Sequence, residues 1–159
     1  MKKNFFLFLL VLIGCQEPKQ FSNQALQEKF ITISNQEKSF KYILEKHKGK
    51  KILIDIWASW CSDCIVTLPI LKKLQTENPH VSFIFLSLDR SLKSWKNSIV
   101  RFQIKGDHYY MKEGKKGGVG DFLNLWWIPR YIVVNEFGEI SLFKATKITD
   151  QNILKALKK

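Results

Sequence analysis

The amino-acid sequence predicts one α/β domain whose central mixed sheet of four to five strands is flanked by helices. Two apolar runs, 51–57 and 81–88, have the nearly continuous hydrophobicity of buried strands, and helical spacing of apolar residues follows each of them. Alternation of strand and helix favours parallel strands joined by right-handed crossovers. Two runs on either side of a turn, 131–134 and 139–143, predict an antiparallel pair beside them.

The first elements of the domain are predicted to be a short strand and a helix. Phe30-Ile31-Thr32-Ile33 has the composition of an edge strand. The next four residues, Ser34-Asn35-Gln36-Glu37, have the pattern of a capping box, which opens a helix. That helix would place Phe40 and Ile43 on one buried face.

The later elements are predicted from periodicity and glycine content. A helix over 65–74 has leucines and isoleucine at near-helical spacing, and Pro69 inside it predicts a kink. The stretch 103–125 is rich in glycine and lysine, which predicts a loop or insertion. A final amphipathic helix is expected to begin near Thr149.

The amino terminus has the pattern of a secretion signal. A short basic start precedes Phe5 to Ile13, an apolar run too short to span a bilayer. The run ends in Leu12-Ile13-Gly14-Cys15, which resembles a bacterial lipobox. The resemblance implies a signal peptide over 1–14 and acylation of Cys15; the alternative is an ordinary secretion signal with an incidental cysteine.

The segment after Cys15 is polar as far as about Lys29, with few large apolar residues. This composition predicts a lipid-anchored tether over 15–29, followed by the folded domain over 30–159. The chain is therefore expected in the cell envelope, as a lipoprotein that faces the periplasm.

The positive charge of the chain raises the question of whether it binds an anionic partner such as nucleic acid. The formal net charge is +12, from 26 Lys and Arg against 14 Asp and Glu. The lysines are scattered, and the only arginines are Arg90, Arg101 and Arg130, too few for the bidentate contacts of specific nucleic-acid sites. A solvated lysine-rich surface is the better interpretation, and no nucleic-acid partner is expected.

The cysteines point to redox chemistry. Cys61 and Cys64 are separated by two residues, so they cannot close a long structural loop. Zinc would need further ligands, and the three histidines of the chain are isolated from the pair and from each other, so no metal is expected.

Four features in order resemble the thioredoxin superfamily, in particular its exported TlpA/ResA-like branch. They are Asp55, the run Trp57-Ala58-Ser59-Trp60-Cys61-Ser62-Asp63-Cys64, Pro69, and Ile128-Pro129 before the strand hairpin. The resemblance covers about 30–159. It implies a thioredoxin-like fold and a thiol-disulfide oxidoreductase that needs no cofactor beyond its redox-active disulfide.

The resemblance also implies roles for the central residues. Cys61, at the start of a helix, would be the attacking thiolate, stabilised by free backbone N–H groups and the positive end of the helix dipole. Cys64 would be the resolving thiol. Asp55 would relay the proton of Cys64; a carboxyl between Ile54 and Ile56 is costly to bury unless it is used or paired.

The substrate face is expected around the cysteines and the Ile-Pro pair. Trp60, Ser62 and Asp63 would contact substrate beside Cys61. The resemblance implies that Pro129 is a cis-proline and that the backbone of Ile128 pairs with the substrate chain; the sequence alone also permits a trans-proline at the start of a strand.

Two departures from the family pattern affect function. Asp63 stands where the family often has proline, and its charge disfavours the Cys61 thiolate, which predicts a reductant. Thr67 stands where TlpA/ResA-like proteins often have glutamate, which removes the basis for substrate recognition by that acid.

The leading hypothesis is therefore a reductase of disulfides in exported proteins, with apocytochrome c among the candidates, recycled by a membrane thiol-disulfide electron donor. Two alternatives stay open. The chain could be a net disulfide oxidant or isomerase, or a non-catalytic thioredoxin-like binding module.

Overall fold

The computed structural model describes residues 16–158, which form a seven-stranded sheet covered by helices. The predicted signal peptide and Cys15 lie outside the described residues. The strands are β1 (Lys29–Thr32), β2 (Glu37–Ser39), β3 (Ile52–Trp57), β4 (Ser82–Ser87), β5 (Asp107–Tyr110), β6 (Arg130–Val134) and β7 (Ile140–Ala145). The helices are α1 (Asn23–Gln27), α2 (Phe40–Glu45), α3 (Ser62–Val66), α4 (Leu68–Glu77), α5 (Leu92–Phe102), α6 (Gly118–Phe122) and α7 (Gln151–Lys158).

The sheet is mixed, with strand order β2-β1-β5-β4-β3-β6-β7. Strands β3, β4 and β5 are parallel, and antiparallel strands complete both sides. All six residues of β3 are buried, as expected for a central strand covered on both faces. The prediction of a mixed α/β sheet flanked by helices is confirmed, and the chain enters the redox motif directly from the carboxyl end of β3.

The number of strands is larger than the predicted four to five. The two additional strands are β2, which has three residues, and β5, which has the sequence Asp-His-Tyr-Tyr within the stretch predicted as a loop. Neither has an apolar run or clear alternation. Pairing of β2 with β1 and of β5 with β4 stabilises them. Their strand conformation is therefore determined by tertiary contacts rather than by local propensity.

The stretch 103–125 is also more ordered than predicted. Besides β5 it contains a 3-10 turn at Gly114–Lys116 and helix α6. The glycines allow close packing here: a Cβ at Gly118 would lie 2.5 Å from the carbonyl oxygen of Gln24 in α1. Gly118 thus allows a close helix–helix contact between α1 and α6.

The folded domain begins earlier than the predicted boundary near Phe30. Phe21 and Ala25 are buried in the core, and the Glu28 carboxylate accepts a hydrogen bond of 2.6 Å from the N–H of Val119 at the start of α6. Burial raises the pKa of Glu28. Residues 21–29 are therefore part of the domain rather than of a tether.

One predicted helix start is wrong, and one predicted kink is a break in the helix. The predicted capping box does not open a helix: Ser34, Asn35 and Gln36 lie in the turn between β1 and β2, and Glu37 begins β2. In this turn the N–H of Gln36 donates to Thr32 Oγ1 at 3.0 Å. Ser39 caps α2 instead, accepting a hydrogen bond from Tyr42. The helix after the cysteines divides at Thr67, two residues before Pro69, so the expected kink is a break between α3 and α4.

The described residues contain no helix that is long and apolar enough to cross a membrane.

Candidate active site

Cys61 lies at the start of helix α3, directly after the turn that leaves β3. It is the N-cap residue, and its Sγ accepts a hydrogen bond of 3.2 Å from the N–H of Cys64. The two cysteines form a disulfide, with Cα atoms 5.3 Å apart. Cys64 lies one turn further along the helix and is the more deeply buried of the two. The free N–H groups of this first turn are available to stabilise negative charge on Cys61 when the disulfide is opened.

The Ile-Pro pair faces the cysteines. The Ile128–Pro129 peptide bond is cis. The carbonyl oxygen of Ile128 lies 3.8 Å from Cys61 Sγ, although 67 residues separate them in the chain. The geometry follows from the antiparallel pairing of β3 with β6, since this pairing brings the start of β6 to the end of β3 that carries the cysteines.

A cavity of about 290 Å³ brings together most of the residues predicted to contact substrate. Trp60, Cys61, Ser62, Asp63 and Ile128 line it, together with Lys115, Trp126 and Trp127. Pro129 lies in an adjoining groove of about 720 Å³, which shares Asp63 and the tryptophan pair with the cavity. The predicted substrate face is therefore a continuous surface around the disulfide.

Lys115 is a residue of this site that the sequence analysis missed. Its Nζ donates a hydrogen bond of 2.9 Å to the carbonyl oxygen of Trp126. Trp126 and Trp127 are 70% and 50% exposed, with ring centroids 6.3 Å apart. The Trp-Trp-Ile-Pro sequence is a signal for such a surface, but nothing in the sequence indicates that Lys115 packs against it.

Asp55 lies in the centre of β3, inside the domain. It is 4% exposed, and its Oδ1 has no hydrogen-bond partner among residues 16–158. Burial raises the pKa of Asp55 to about 8. A carboxyl with this pKa can exchange a proton with a thiol near neutral pH, because an unperturbed thiol has a pKa of about 8.5.

Tyr131 and Thr67 lie next to Asp55 and Cys64, respectively. Tyr131 is paired directly with Asp55 across β3 and β6, and burial together with that carboxylate raises the pKa of Tyr131. Its Oη lies 3.4 Å from Thr67 Oγ1, which donates to the carbonyl oxygen of Cys64 at 2.9 Å. Thr67 thus links the helix turn that carries Cys64 to the residue opposite Asp55.

A buried carboxylate holds the loop before the cysteines. Asp89 accepts hydrogen bonds from the N–H of Ser59 at 3.2 Å, from the hydroxyl of Ser59, and from the hydroxyl of Ser87 at 2.8 Å. The indole N–H of Trp60 also donates to the carbonyl oxygen of Leu88 at 3.3 Å. The sequence analysis missed this network because Ser59 and Asp89 are 30 residues apart and form no local motif.

Comparison with known proteins agrees with this geometry. The family model described as thioredoxin-like matches residues 49–140. Thioredoxin-like protein YneN of Bacillus subtilis is 29% identical over 132 residues, which cover 80% of this chain and 71% of YneN. Thiol-disulfide oxidoreductase ResA of Bacillus thuringiensis is 26% identical over 119 residues, which cover 66% of this chain and 69% of ResA.

A solved structure has the same fold. It is the solution structure of a Bacteroides vulgatus protein assigned to the thiol-disulfide oxidoreductases, with a TM-score of 0.69 and 28% identity, covering 86% of this chain and 88% of that one. The relatives in sequence and structure are thus thiol-disulfide oxidoreductases. With its disulfide at the start of α3 and its cis Ile-Pro beside it, the chain belongs to the thioredoxin-like family, and its similarity to ResA supports the TlpA/ResA-like branch.

Proposed function

We propose that this protein reduces disulfides of exported proteins outside the cytoplasm. The observation that carries the proposal is the Cys61–Cys64 disulfide at a helix start, with Ile128 and Pro129 against it and Asp55 buried in the adjoining strand. This arrangement supplies a nucleophile, a resolving thiol, a docking edge for substrate and a proton acceptor.

The reaction begins with the dithiol form. The Cys61 thiolate attacks one sulfur of a substrate disulfide, so that a mixed disulfide forms and the other substrate sulfur leaves as a thiolate. Cys64 then gives its proton to ionised Asp55 and attacks Cys61 Sγ. The second substrate sulfur leaves, and the products are a substrate dithiol and the Cys61–Cys64 disulfide. A membrane thiol-disulfide electron donor then returns two electrons to the pair.

The substrate is held by the surface around the pair. Trp60, Ser62, Asp63 and Ile128 line the cavity beside Cys61, and Pro129 lines the adjoining groove. An extended substrate segment would run along the Ile-Pro backbone, with its cysteine placed over Cys61. Apocytochrome c is a candidate substrate, as is any exported protein with an accessible disulfide.

The reductive direction rests on two residues. Asp63 adds a negative charge in the first turn of α3, which disfavours the Cys61 thiolate and hence the reduced form of the pair. A protein that is stable as the disulfide is a better electron donor when reduced. Ile128 before Pro129, as in reducing thioredoxins, is consistent with the same direction.

The location rests on the first fifteen residues of the sequence. The basic start, the apolar run to Ile13 and the lipobox-like Leu12-Ile13-Gly14-Cys15 support export and acylation at Cys15. The chain would then face the periplasm from a membrane, with its acyl chains as the anchor.

The proposed reaction is tested by trapping its intermediate. In the Cys64→Ala variant the mixed disulfide cannot be resolved, so we expect insulin to remain covalently bound through Cys61 and multiple turnover to fall at least a hundredfold. The Cys61→Ser variant should neither reduce insulin nor form the adduct. Electrophoresis without reducing agent, followed by mass spectrometry, measures both.

The same experiment separates the alternatives. A non-catalytic binding module would capture partners equally well in both variants, without a covalent bond. Insulin reduction that survives either substitution would contradict the assignment of Cys61 and Cys64 as the redox pair.

A further inference from the structure

The described chain begins at the end of the domain that lies away from the redox site. The carbonyl oxygen of Lys19 accepts a hydrogen bond of 2.8 Å from the N–H of Ile140, the first residue of β7. Ile140 follows directly on the tight turn 135–139, which is closed by hydrogen bonds between Asn135 and Glu139. The amino-terminal segment is therefore held beside this turn.

Two other segments lie at the same end. The N–H of Gly49 donates to the carbonyl oxygen of Glu136 at 3.2 Å, which joins the turn after α2 to the 135–139 turn. Lys51 Nζ donates to the carbonyl oxygen of Leu157 at 3.1 Å, which places the end of α7 there as well. We call this surface the basal pole and define it as residues 16–19, 46–51, 135–139 and 155–158.

The basal pole is opposite the redox site. Strand β3 starts at Ile52, next to Lys51 of the basal pole, and ends at Trp57, four residues before Cys61. Six residues of strand span about 20 Å. The disulfide is thus separated from the basal pole by the full length of the central strand.

The basal pole has the chemistry of a surface that binds an anionic membrane. Phe137, at the tip of its turn, is 84% exposed. Five lysines are exposed and form no ion pair within residues 16–158; they are Lys19, Lys48, Lys50, Lys155 and Lys158. An exposed aromatic ring among lysines is typical of proteins that rest on a headgroup layer.

Most carboxylates of the basal pole form an ion pair or accept a hydrogen bond. Glu136 pairs with Lys51 at 3.5 Å, and Glu139 accepts a hydrogen bond of 3.1 Å from the side chain of Asn135. Glu17 is exposed and has no such partner in the described part of the chain. Glu17 and Glu139 form no ion pair among residues 16–158, but they are outnumbered by the five unpaired lysines, so the net charge left on this surface is positive.

We propose that the basal pole docks on the anionic headgroups of the membrane that holds the amino terminus, so that Cys61 faces away from that membrane. The proposal rests on the proposed acylation of Cys15. Lys19 is only four positions after Cys15, and four extended residues reach about 14 Å. An anchor at Cys15 therefore keeps the basal pole close to the headgroups, within reach of lysine–lipid attraction.

The test is amide hydrogen exchange of the full chain on vesicles. The protein is purified with its mature amino terminus, its intact mass establishes whether Cys15 is acylated, and flotation measures retention on vesicles. Exchange is then followed on phosphatidylcholine vesicles and on vesicles that also contain phosphatidylglycerol. We expect slower exchange in 46–50 and 135–139 on the anionic vesicles only, and unchanged exchange in 112–117.

A pair of charge reversals provides the matched control. Each lysine near an anionic surface changes the docking equilibrium by about fivefold. The double variant Lys48→Glu/Lys50→Glu should therefore lose the protection, whereas Lys93→Glu/Lys116→Glu, which reverses two exposed lysines outside the basal pole, should keep it. Added salt should abolish the protection in the wild-type chain.

The outcomes separate this proposal from the one on which it rests. A chain that is not acylated and does not float contradicts both. A chain that floats but exchanges equally on both kinds of vesicle overturns the docking proposal and leaves the anchor and the reductase function intact. Loss of protection in the Lys93/Lys116 variant would also overturn it, because the attraction would then not belong to the basal pole.

Discussion

Asp55 shows how one buried group can have opposite effects on stability and on chemistry. Its carboxyl is enclosed by β3 and its neighbours, and the loss of hydration raises its pKa from 3.8 to about 8. The folded protein therefore binds a proton that the unfolded chain releases above about pH 4. By linkage, this group makes the fold less stable as the pH rises from about 4 to about 8.

We predict that Asp55→Asn stabilises the protein in a pH-dependent manner. Near pH 4 both side chains are neutral, so the free energies of unfolding should be similar. At pH 8 the variant should be more stable by about 3 to 6 kcal/mol, since one pKa unit corresponds to about 1.4 kcal/mol. Denaturant unfolding of the oxidised proteins at several pH values measures the difference.

Asp63→Asn is the matched control for this prediction. Asp63 is exposed in the first turn of α3, so its removal should change the unfolding free energy by less than about 0.5 kcal/mol at either pH. A constant difference between wild type and Asp55→Asn from pH 4 to 8 would contradict the raised pKa of Asp55. We also expect Asp55→Asn to resolve mixed disulfides slowly, because the asparagine amide cannot accept the proton of Cys64.

The residues of the site that the sequence predicts are those within a compact motif. Cys61, Cys64 and Trp60 are adjacent, and Pro129 stands in a recognisable Ile-Pro before a strand. Asp89 and Lys115 could not be predicted, because their partners are brought near by the crossover after β3 and by the packing of the 103–125 stretch.

At the scale of elements, the contact between α1 and α6 extends the domain towards its amino terminus. Neither helix is longer than five residues, and isolated helices of that length are unstable in water. Gly118 allows the backbones to approach closely, and Glu28 accepts a hydrogen bond from α6. The two helices therefore depend on each other.

We predict that Gly118→Ala destabilises the protein. In an exposed helix this change would stabilise by about 0.5 to 1 kcal/mol, but here the new Cβ would overlap the carbonyl group of Gln24. A net loss of about 1 to 3 kcal/mol is expected, measured as a lower midpoint of guanidinium unfolding with an unchanged slope.

Gln27→Ala, at an exposed position of α1, should leave that midpoint nearly unchanged. A midpoint for Gly118→Ala equal to or above that of the wild type would show that α1 and α6 are not held at this distance. Reduction of a small disulfide should be unaffected in both variants, because neither residue lines the site.

The elements that the sequence predicts well are those with a long apolar pattern. Strands β3 and β4 and helices α5 and α7 have it, and the structure places them close to the predicted positions. The pattern is absent where pairing or packing with distant residues creates the element, as in β2, β5 and α6. The same reason explains why the composition of 16–29 suggested a tether although Phe21 and Ala25 enter the core.

For the whole molecule, the balance between dithiol and disulfide forms decides the direction of electron flow. This balance is the free-energy difference between two folded states. It is measured as a reduction potential, and a change of 30 mV in that potential corresponds to about 1.4 kcal/mol. Charge near Cys61 shifts it, because the reduced state contains a thiolate and the oxidised state does not.

We predict a reduction potential nearer to about −270 mV than to the −120 mV or so of strongly oxidising relatives of the fold. Asp63→Asn should raise the potential by about 10 mV, the equivalent of a surface charge interaction of about 0.5 kcal/mol. Equilibration with glutathione and quantification of both forms measure the potential.

Asp121→Asn, in α6, should leave the potential unchanged, since Asp121 does not line the cavity around the pair. A wild-type potential as high as about −120 mV would favour the net oxidant over the reductase. A lower potential in Asp63→Asn would contradict the assigned effect of that charge.

The two edge strands of the sheet affect the behaviour of the protein at high concentration. One edge strand, β2, has only three residues and contains Glu37 and Lys38. The other, β7, pairs with β6 in an irregular register, and its Lys144 is exposed. Short, charged or irregular edges resist the addition of a strand from another molecule. We therefore expect the domain to withstand edge-to-edge aggregation in concentrated solution, which static light scattering at rising protein concentration would measure.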